Sequence, residues 1–206
     1  MKVQQLVLGM FETNCYLVSG NCPGKCIVID PGEDGEGILD HLEKEQMIPE
    51  AILLTHGHYD HFLAVPALQQ RWPNLPIYCH PKDCPEEKVE YDMGMEFPTV
   101  SAFDHVEPIS EGVVLEIAGF KIRILETPGH TPGSVIYFIE DAMFSGDTLF
   151  HGSIGRTDFE GGSVMQMGES LKRIAKISGD YKVYPGHEEI TTLKKEKQQN
   201  PYLKLL

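Results

Sequence analysis

The sequence predicts an α/β fold, a four-layer αββα sandwich with two sheets packed face to face and helices on both outer surfaces. Three observations predict it. The elements run strands, helix, strand, helix, then strands again and helices again, and each sheet in such an order needs its own helical cover. The two halves share a strands-then-helix order without an obvious long repeat. A chain of 206 residues with 41% hydrophobic content is long enough for one well-packed domain, and a single domain over 1–206 is expected.

Taken in order, residues 3–8, 14–19 and 25–30 are short β-prone runs. Gly9-Met10-Phe11-Glu12-Thr13 and Gly20-Asn21-Cys22-Pro23-Gly24 separate them, so an antiparallel meander is expected. Residues 37–47 carry Ile38, Leu39, Leu42 and Met47 on roughly one helical face, and Pro49 is expected to close that helix. Ala51-Ile52-Leu53-Leu54 reads as a buried strand, 62–71 as a second helix, and 75–80 as a further strand. Residues 81–109 mix charge with little periodicity and predict no element. Alternation returns in four strands at 113–117, 120–126, 134–139 and 142–145, with tight turns at Ala118-Gly119 and Glu140-Asp141. A helix at 164–178, a strand at 182–184 and a charged helix at 191–199 complete the pattern.

Composition narrows the function classes. A net charge of -14 repels phosphate backbones and anionic bilayers, which disfavours nucleic-acid binding. The sequence contains no apolar run of about 18 residues, so no membrane span is expected. The amino-terminal residues lack the features of a signal peptide, so a soluble cytoplasmic protein is expected. Cys15, Cys22, Cys26, Cys79 and Cys84 are odd in number and form no regular framework, which fits reduced thiols and no structural zinc.

The stretch Thr55-His56-Gly57-His58-Tyr59-Asp60-His61 follows the buried strand directly. Imidazole and carboxylate suit zinc, iron and manganese, and one tight loop carrying four such donors can aim several at a common point. If the donors divide between two ions, His56 and His58 hold one, Asp60 and His61 the other, with a water or hydroxide between. Three later turns repeat the pattern. His130 lies between two Pro-Gly steps, Asp147 follows a short strand in Ser145-Gly146-Asp147, and His187 lies in a third Pro-Gly turn. Loop ends on a rigid scaffold are where sites are usually built. His41, His80, His105 and His151 lack that context and are expected to bind no metal.

The segment His56-Gly57-His58-Tyr59-Asp60-His61 resembles the H-x-H-x-D-H motif of the metallo-β-lactamase superfamily, with His130, Asp147 and His187 in that family's order. Gly146-Asp147-Thr148-Leu149-Phe150 and the run from Gly152 to Phe159 are most similar to the short glyoxalase II-like (hydroxyacylglutathione hydrolase-like) enzymes. The resemblance implies the αββα fold of that superfamily and two divalent ions, zinc first, iron or manganese as alternatives. It assigns His56, His58 and His130 to the first ion, Asp60, His61 and His187 to the second, and Asp147 to both. It further implies a hydrolase of a small-molecule thioester, such as S-lactoylglutathione, in which a metal-bridging hydroxide attacks the carbonyl carbon; Asp60, a carboxylate beside that hydroxide, is expected to hydrogen-bond and orient it. Full-length glyoxalase II carries a C-terminal helical domain that contributes to glutathione binding, and this chain ends soon after His187.

Two alternatives share the fold. An iron-dependent persulfide dioxygenase would use His56, His130 and Asp147 alone; a lactonase or β-lactamase-like hydrolase is the alternative within the hydrolase class. Substrate contacts are expected from Arg156 and Tyr59. Arg156 could instead pair with Asp158, and Tyr59 could simply pack. Lys194, Lys195 and Lys197, beside Glu196, are expected to form a solvated helix face.

Overall fold

The protein is described by a computed structural model covering residues 1–84 and 103–204. Strands β1 (Lys2–Leu8), β2 (Thr13–Ser19), β3 (Lys25–Ile29), β4 (Ile48–Leu53), β5 (Ile77–Cys79) and β6 (Val106–Pro108) form one sheet in that spatial order. The first three are antiparallel, and β3 to β6 run parallel. Parallel neighbours need a crossover, which α1 (Gly35–Lys44) supplies between β3 and β4 and α2 (Val65–Arg71) between β4 and β5. The second half contributes β7 (Val114–Ile117), β8 (Phe120–Glu126), β9 (Val135–Ile139), β10 (Ala142–Gly146), a small hairpin of β11 (Leu149–Phe150) and β12 (Ser153–Ile154), helix α3 (Val164–Ala175), β13 (Lys182–Pro185), β14 (Thr191–Thr192), and helices α4 (Leu193–Gln199) and α5 (Pro201–Lys204). The second sheet runs β14-β13-β10-β9-β8-β7.

Period-two side-chain alternation builds the four layers. In β2 and β3, Cys15, Leu17, Cys26 and Val28 face the helices, while Tyr16, Val18, Ile27 and Ile29 face the other sheet. In the second sheet, Val135, Tyr137 and Ile139 meet that inner face, and Ile136 and Phe138 turn out toward α3 and α4. Strands buried on both faces read as continuous apolar runs, as at Ala51 to Leu54. Local signals set the helices. Asp34 accepts from the Gly37 N–H and caps α1 over buried Ile38 and Leu42. Ser163 accepts from the Gln166 N–H and opens α3, which buries Met167, Leu171 and Ile174. The expected αββα architecture is therefore present.

Several boundaries differ from expectation. Helix α1 stops at Lys44, and Pro49 lies inside β4 instead of ending the helix. The β3–β4 register shifts beside it, from Cys26↔Pro49 to Ile27↔Ala51, and a proline without an N–H is tolerated at such a bulge. Helix α2 begins at Val65 because a 3-10 turn occupies Tyr59–His61 and Pro66 suits a helix start. Strand β6 falls within 81–109, where no element was expected; three residues are too few to display alternation. Much of that stretch, 85–102, lies outside the described residues. Glu196 is buried at 1% exposure, so the terminal helix is not uniformly solvated. Among the described residues no helix is long and apolar enough to cross a membrane.

Candidate metal centre

The candidate donors leave the ends of β4, β8, β10 and β13 along one edge of the sandwich. Bonds across the two sheets fix these ends relative to one another. The Val135 N–H donates to Thr55 O (2.8 Å), and Tyr137 donates its hydroxyl proton to Leu54 O (2.8 Å). The turn bearing His187 is held by Tyr16 Oη and Asn14 Nδ2, which donate to Pro185 O at 2.7 and 3.0 Å. Gly186 must be glycine here, since a Cβ would lie 2.2 Å from Asp147 Oδ1 and 2.8 Å from His61 Cε1.

All seven sequence-nominated donors converge. Nε2 of His56 and Nε2 of His130 lie 3.1 and 2.8 Å from Nδ1 of His58. On the other side, Asp60 Oδ2 is 3.5 Å from His61 Nε2 and 3.3 Å from His187 Nε2. Asp147 lies between the groups: Oδ2 is 3.4 Å from His130 Nε2 and 3.5 Å from His187 Nε2, and Oδ1 is 3.5 Å from His61 Nε2. His56, His58 and His130 form one set able to hold an ion; Asp60, His61 and His187 form another. His41, His80, His105 and His151 lie elsewhere, beside Gln4, Glu126, Asp104 and Glu189.

Partners behind the donors orient them. His130 Nδ1 meets Arg156 O at 2.7 Å, His187 Nδ1 meets Phe11 O at 3.0 Å, and His56 Nδ1 meets Thr55 Oγ1 at 3.1 Å. A protonated Nδ1 donating to a carbonyl leaves Nε2 with its lone pair toward the centre, as metal-binding imidazoles require. Thr13 donates to Asp60 Oδ2 (2.9 Å). Asp83, which the sequence did not single out, accepts from Gly57 N (3.3 Å), Gly133 N (2.8 Å) and the Thr131 hydroxyl, tying the His56–His58 loop to the His130 loop. Asp30 was also missed. At φ 50° it ends β3 in the left-handed region and takes both the N–H and hydroxyl of Thr55, at 2.8 and 2.7 Å. A carboxylate at the end of a buried strand was the available signal for it.

Protonation alone does not satisfy this cluster. Nε2 of His61 and Oδ1 of Asp147 are buried without a hydrogen-bond partner, an arrangement that is costly unless something else binds there. Nδ1 of His58 faces two imidazole nitrogens, and one proton can serve only one of them. The donor set therefore fits metal ions. Burial, then neighbouring His61, His130 and His58, pushes His56 well down; burial and His130 push His58 down to about 4, so both imidazoles are neutral near pH 7. Burial works to raise the pKa of Asp60, but His61 and His187 outweigh it and hold the carboxylate below its usual range.

A cleft of about 1040 Å³ opens over the cluster, with Tyr59, Arg156, His58 and His187 in its lining. Arg156 is committed to Asp158 through two 2.7 Å bonds, from Nε and Nη2. Tyr59 both lines the cleft and packs against the core beneath α2, with Phe62 edge-on at 6.3 Å.

An αββα sandwich with histidine and aspartate donors gathered at its strand ends defines a metal-dependent class of enzyme. The sequence matches the family described as the metallo-beta-lactamase superfamily over residues 8–187, and the chain belongs to that family. It is 34% identical to the probable metallo-hydrolase YqgX of Bacillus subtilis, with 98% of both chains covered. It is 33% identical to the hydroxyacylglutathione hydrolase GloC of Haemophilus influenzae, again over 98% of both. Among solved structures it resembles the B3 metallo-beta-lactamase BLEG-1 (TM-score 0.84, 34% identity, covering 98% of this chain and 99% of that one). It also resembles TTHA1623 in a di-iron-bound form (TM-score 0.80, 34% identity, 98% and 100%) and ETHE1 from Myxococcus xanthus (TM-score 0.80, 26% identity, 98% and 84%).

Proposed function

We propose that this protein is a binuclear metallohydrolase that cleaves a thioester. His56, His58 and His130 hold one ion, Asp60, His61 and His187 the second, and Asp147 is shared. The observation that carries this reading is the position of Asp147, whose two oxygens lie within 3.5 Å of nitrogens from both donor groups. When bound, such a pair of ions supplies water of lowered pKa and a Lewis acid for a carbonyl oxygen. The chain supplies the rest. Asp60, kept ionised by its histidine neighbours and anchored by Thr13, is the group that orients the attacking water. The cleft over the centre holds the acyl-thiol, and a thiolate leaves without a protein general acid because it is a modest base. Zinc is the first choice of metal; the di-iron form of TTHA1623 supports iron as an alternative. A reducing, cytoplasmic setting suits Cys15 and Cys26, buried thiols whose pKa burial raises.

The persulfide dioxygenase alternative needs only His56, His130 and Asp147 and leaves His58, Asp60, His61 and His187 without a role, although the last three share a second cluster. Metal-loaded protein assayed with S-lactoylglutathione, with S-lactoyl-N-acetylcysteamine, and with glutathione persulfide under oxygen monitoring separates the two. Thioester cleavage without oxygen uptake is expected. Oxygen uptake with the persulfide and no thioester cleavage overturns the reading.

A further inference from the structure

Beyond the donor cluster, the described walls of the cleft are aromatic and poor in available positive charge. Phe11, Tyr59, Phe62, Phe150, Ile154 and Phe159 form its apolar lining. Phe11 and Phe159 are 44% and 46% exposed, so apolar ring surface meets water at the cleft. Arg156 is the only lysine or arginine lining the cleft among the described residues. Its guanidinium is closed onto Asp158 by two bonds and lies 3.8 Å above the Phe159 ring. Among the described residues the other charged lining groups outside the donor cluster are Glu160 and Glu188. Lys194, Lys195 and Lys197 do not line the cleft. The chain as a whole carries a net charge of -14.

We infer that the substrate is a neutral acyl-thiol with an aromatic or branched hydrocarbon portion, its thiol carrier uncharged and not an anionic tripeptide such as glutathione. This rests on the thioesterase reading and narrows it. Glutathione carries two carboxylates and one ammonium, a net charge of about -1 near neutral pH. It would need a carboxylate clamp, and Arg156, the one guanidinium lining the cleft among the described residues, is paired with Asp158. An apolar group gains instead by desolvating the exposed Phe11 and Phe159.

Binding of non-cleavable thioethers tests the inference separately from catalysis. Metal-loaded protein is titrated calorimetrically with S-methyl-N-acetylcysteamine, S-benzyl-N-acetylcysteamine and S-benzylglutathione at low and high salt. The benzyl thioether is expected to bind at least about 10-fold more tightly than the methyl one, the scale of burying one phenyl group. It is also expected to bind about threefold more tightly than S-benzylglutathione at low salt, a gap that narrows as salt screens the acidic walls. Asp158→Asn, which frees Arg156, is expected to raise affinity for S-benzylglutathione alone. Equal or tighter binding of S-benzylglutathione by the unaltered protein, or equal binding of the methyl and benzyl thioethers, overturns the inference. If no thioester is cleaved while the order of thioether affinities holds, the thioesterase reading fails and the assignment of a neutral, apolar ligand stands.

Discussion

The Asp30 carboxylate lies 3.0 Å from Nδ1 of His61, with both side chains buried. Nδ1 makes no aligned hydrogen bond, so the coupling is one of charge proximity. The same carboxylate is held by the N–H and hydroxyl of Thr55, the residue preceding His56. One side chain thus braces donors from both proposed ion sites. Asp30→Asn keeps the size, tolerates the positive φ and removes the charge. Metal affinity, measured by competition with a chromophoric chelator, is expected to fall about 10- to 100-fold. Unchanged affinity in a folded variant would show that Asp30 serves the fold alone.

Asp147 is the joint between the two donor groups, and its Oδ1 is buried without a hydrogen-bond partner. Asp147→Ala removes the only carboxylate among the described residues that lies near both His130 and His61. Metal content by elemental analysis is expected to drop below two ions per chain. Turnover is expected to drop by more than about 100-fold, beyond the loss typical of a supporting residue. A variant that retains both ions and ordinary activity contradicts the shared role.

Proton release should accompany metal uptake. In the metal-free fold, burial opposes charge on His61, but the Asp60, Asp147 and Asp30 carboxylates outweigh it and raise the pKa from 6.5 to about 10. His187 is also raised, with burial opposing and the hydrogen bond to Asp60 favouring the charged form. Coordination requires neutral imidazole, so affinity should climb with pH toward about 10. Calorimetry in buffers of different ionisation enthalpy is expected to register at least about one proton released per chain near pH 7.5; none would contradict the assignment. The sign for stability is opposite. A raised folded pKa contributes stability in full below the unfolded value of 6.5, and loses it as pH rises through about 10. Asp60, with a lowered pKa, contributes above the unfolded value of 3.8 and loses its contribution in acid. The Tm of metal-free protein should therefore decline from pH 7 to 10 relative to that of loaded protein.

The seven donors were legible because the chemistry repeats a sequence signature: an apolar strand, then a glycine-bearing turn with histidine or aspartate. The layers were legible because strands such as β2 and β9 are apolar on both faces. Asp30 and Asp83 were not, because each acts through partners far along the chain, Thr55 and His61 for one, Gly133 and Thr131 for the other. Pro49 misled because a helix stop and a strand bulge accept proline for the same reason, the missing N–H. Arg156 was legible only as two options, and the structure pairs it with Asp158 while keeping it in the cleft lining.

Glu196 offers a way to perturb the cleft while leaving the donors intact. It stands among Lys194, Lys195 and Lys197 in sequence, yet its side chain turns inward from α4 and accepts from Thr191 Oγ1 (2.6 Å), Gly152 N (2.8 Å) and Asn200 Nδ2 (3.0 Å). Asn200 also donates to Ser153 O at 2.9 Å. Together they pin the turn between β11 and β12, the hairpin that presents Phe150, Ser153 and Ile154 to the cleft. Glu196→Gln preserves volume but puts an amide where three donors converge, weakening charge-assisted bonds. A loss of about 1–3 kcal/mol in unfolding free energy is expected from denaturant titration. Metal content should stay at the unaltered level, because the hairpin touches the substrate volume and contributes none of the proposed donors. KM for a thioester should rise while kcat changes little, the pattern of lost ground-state and transition-state binding together. An unchanged KM in the destabilised variant would mean that the hairpin keeps its position without Glu196, and a loss of bound metal would mean that the latch steadies the centre itself.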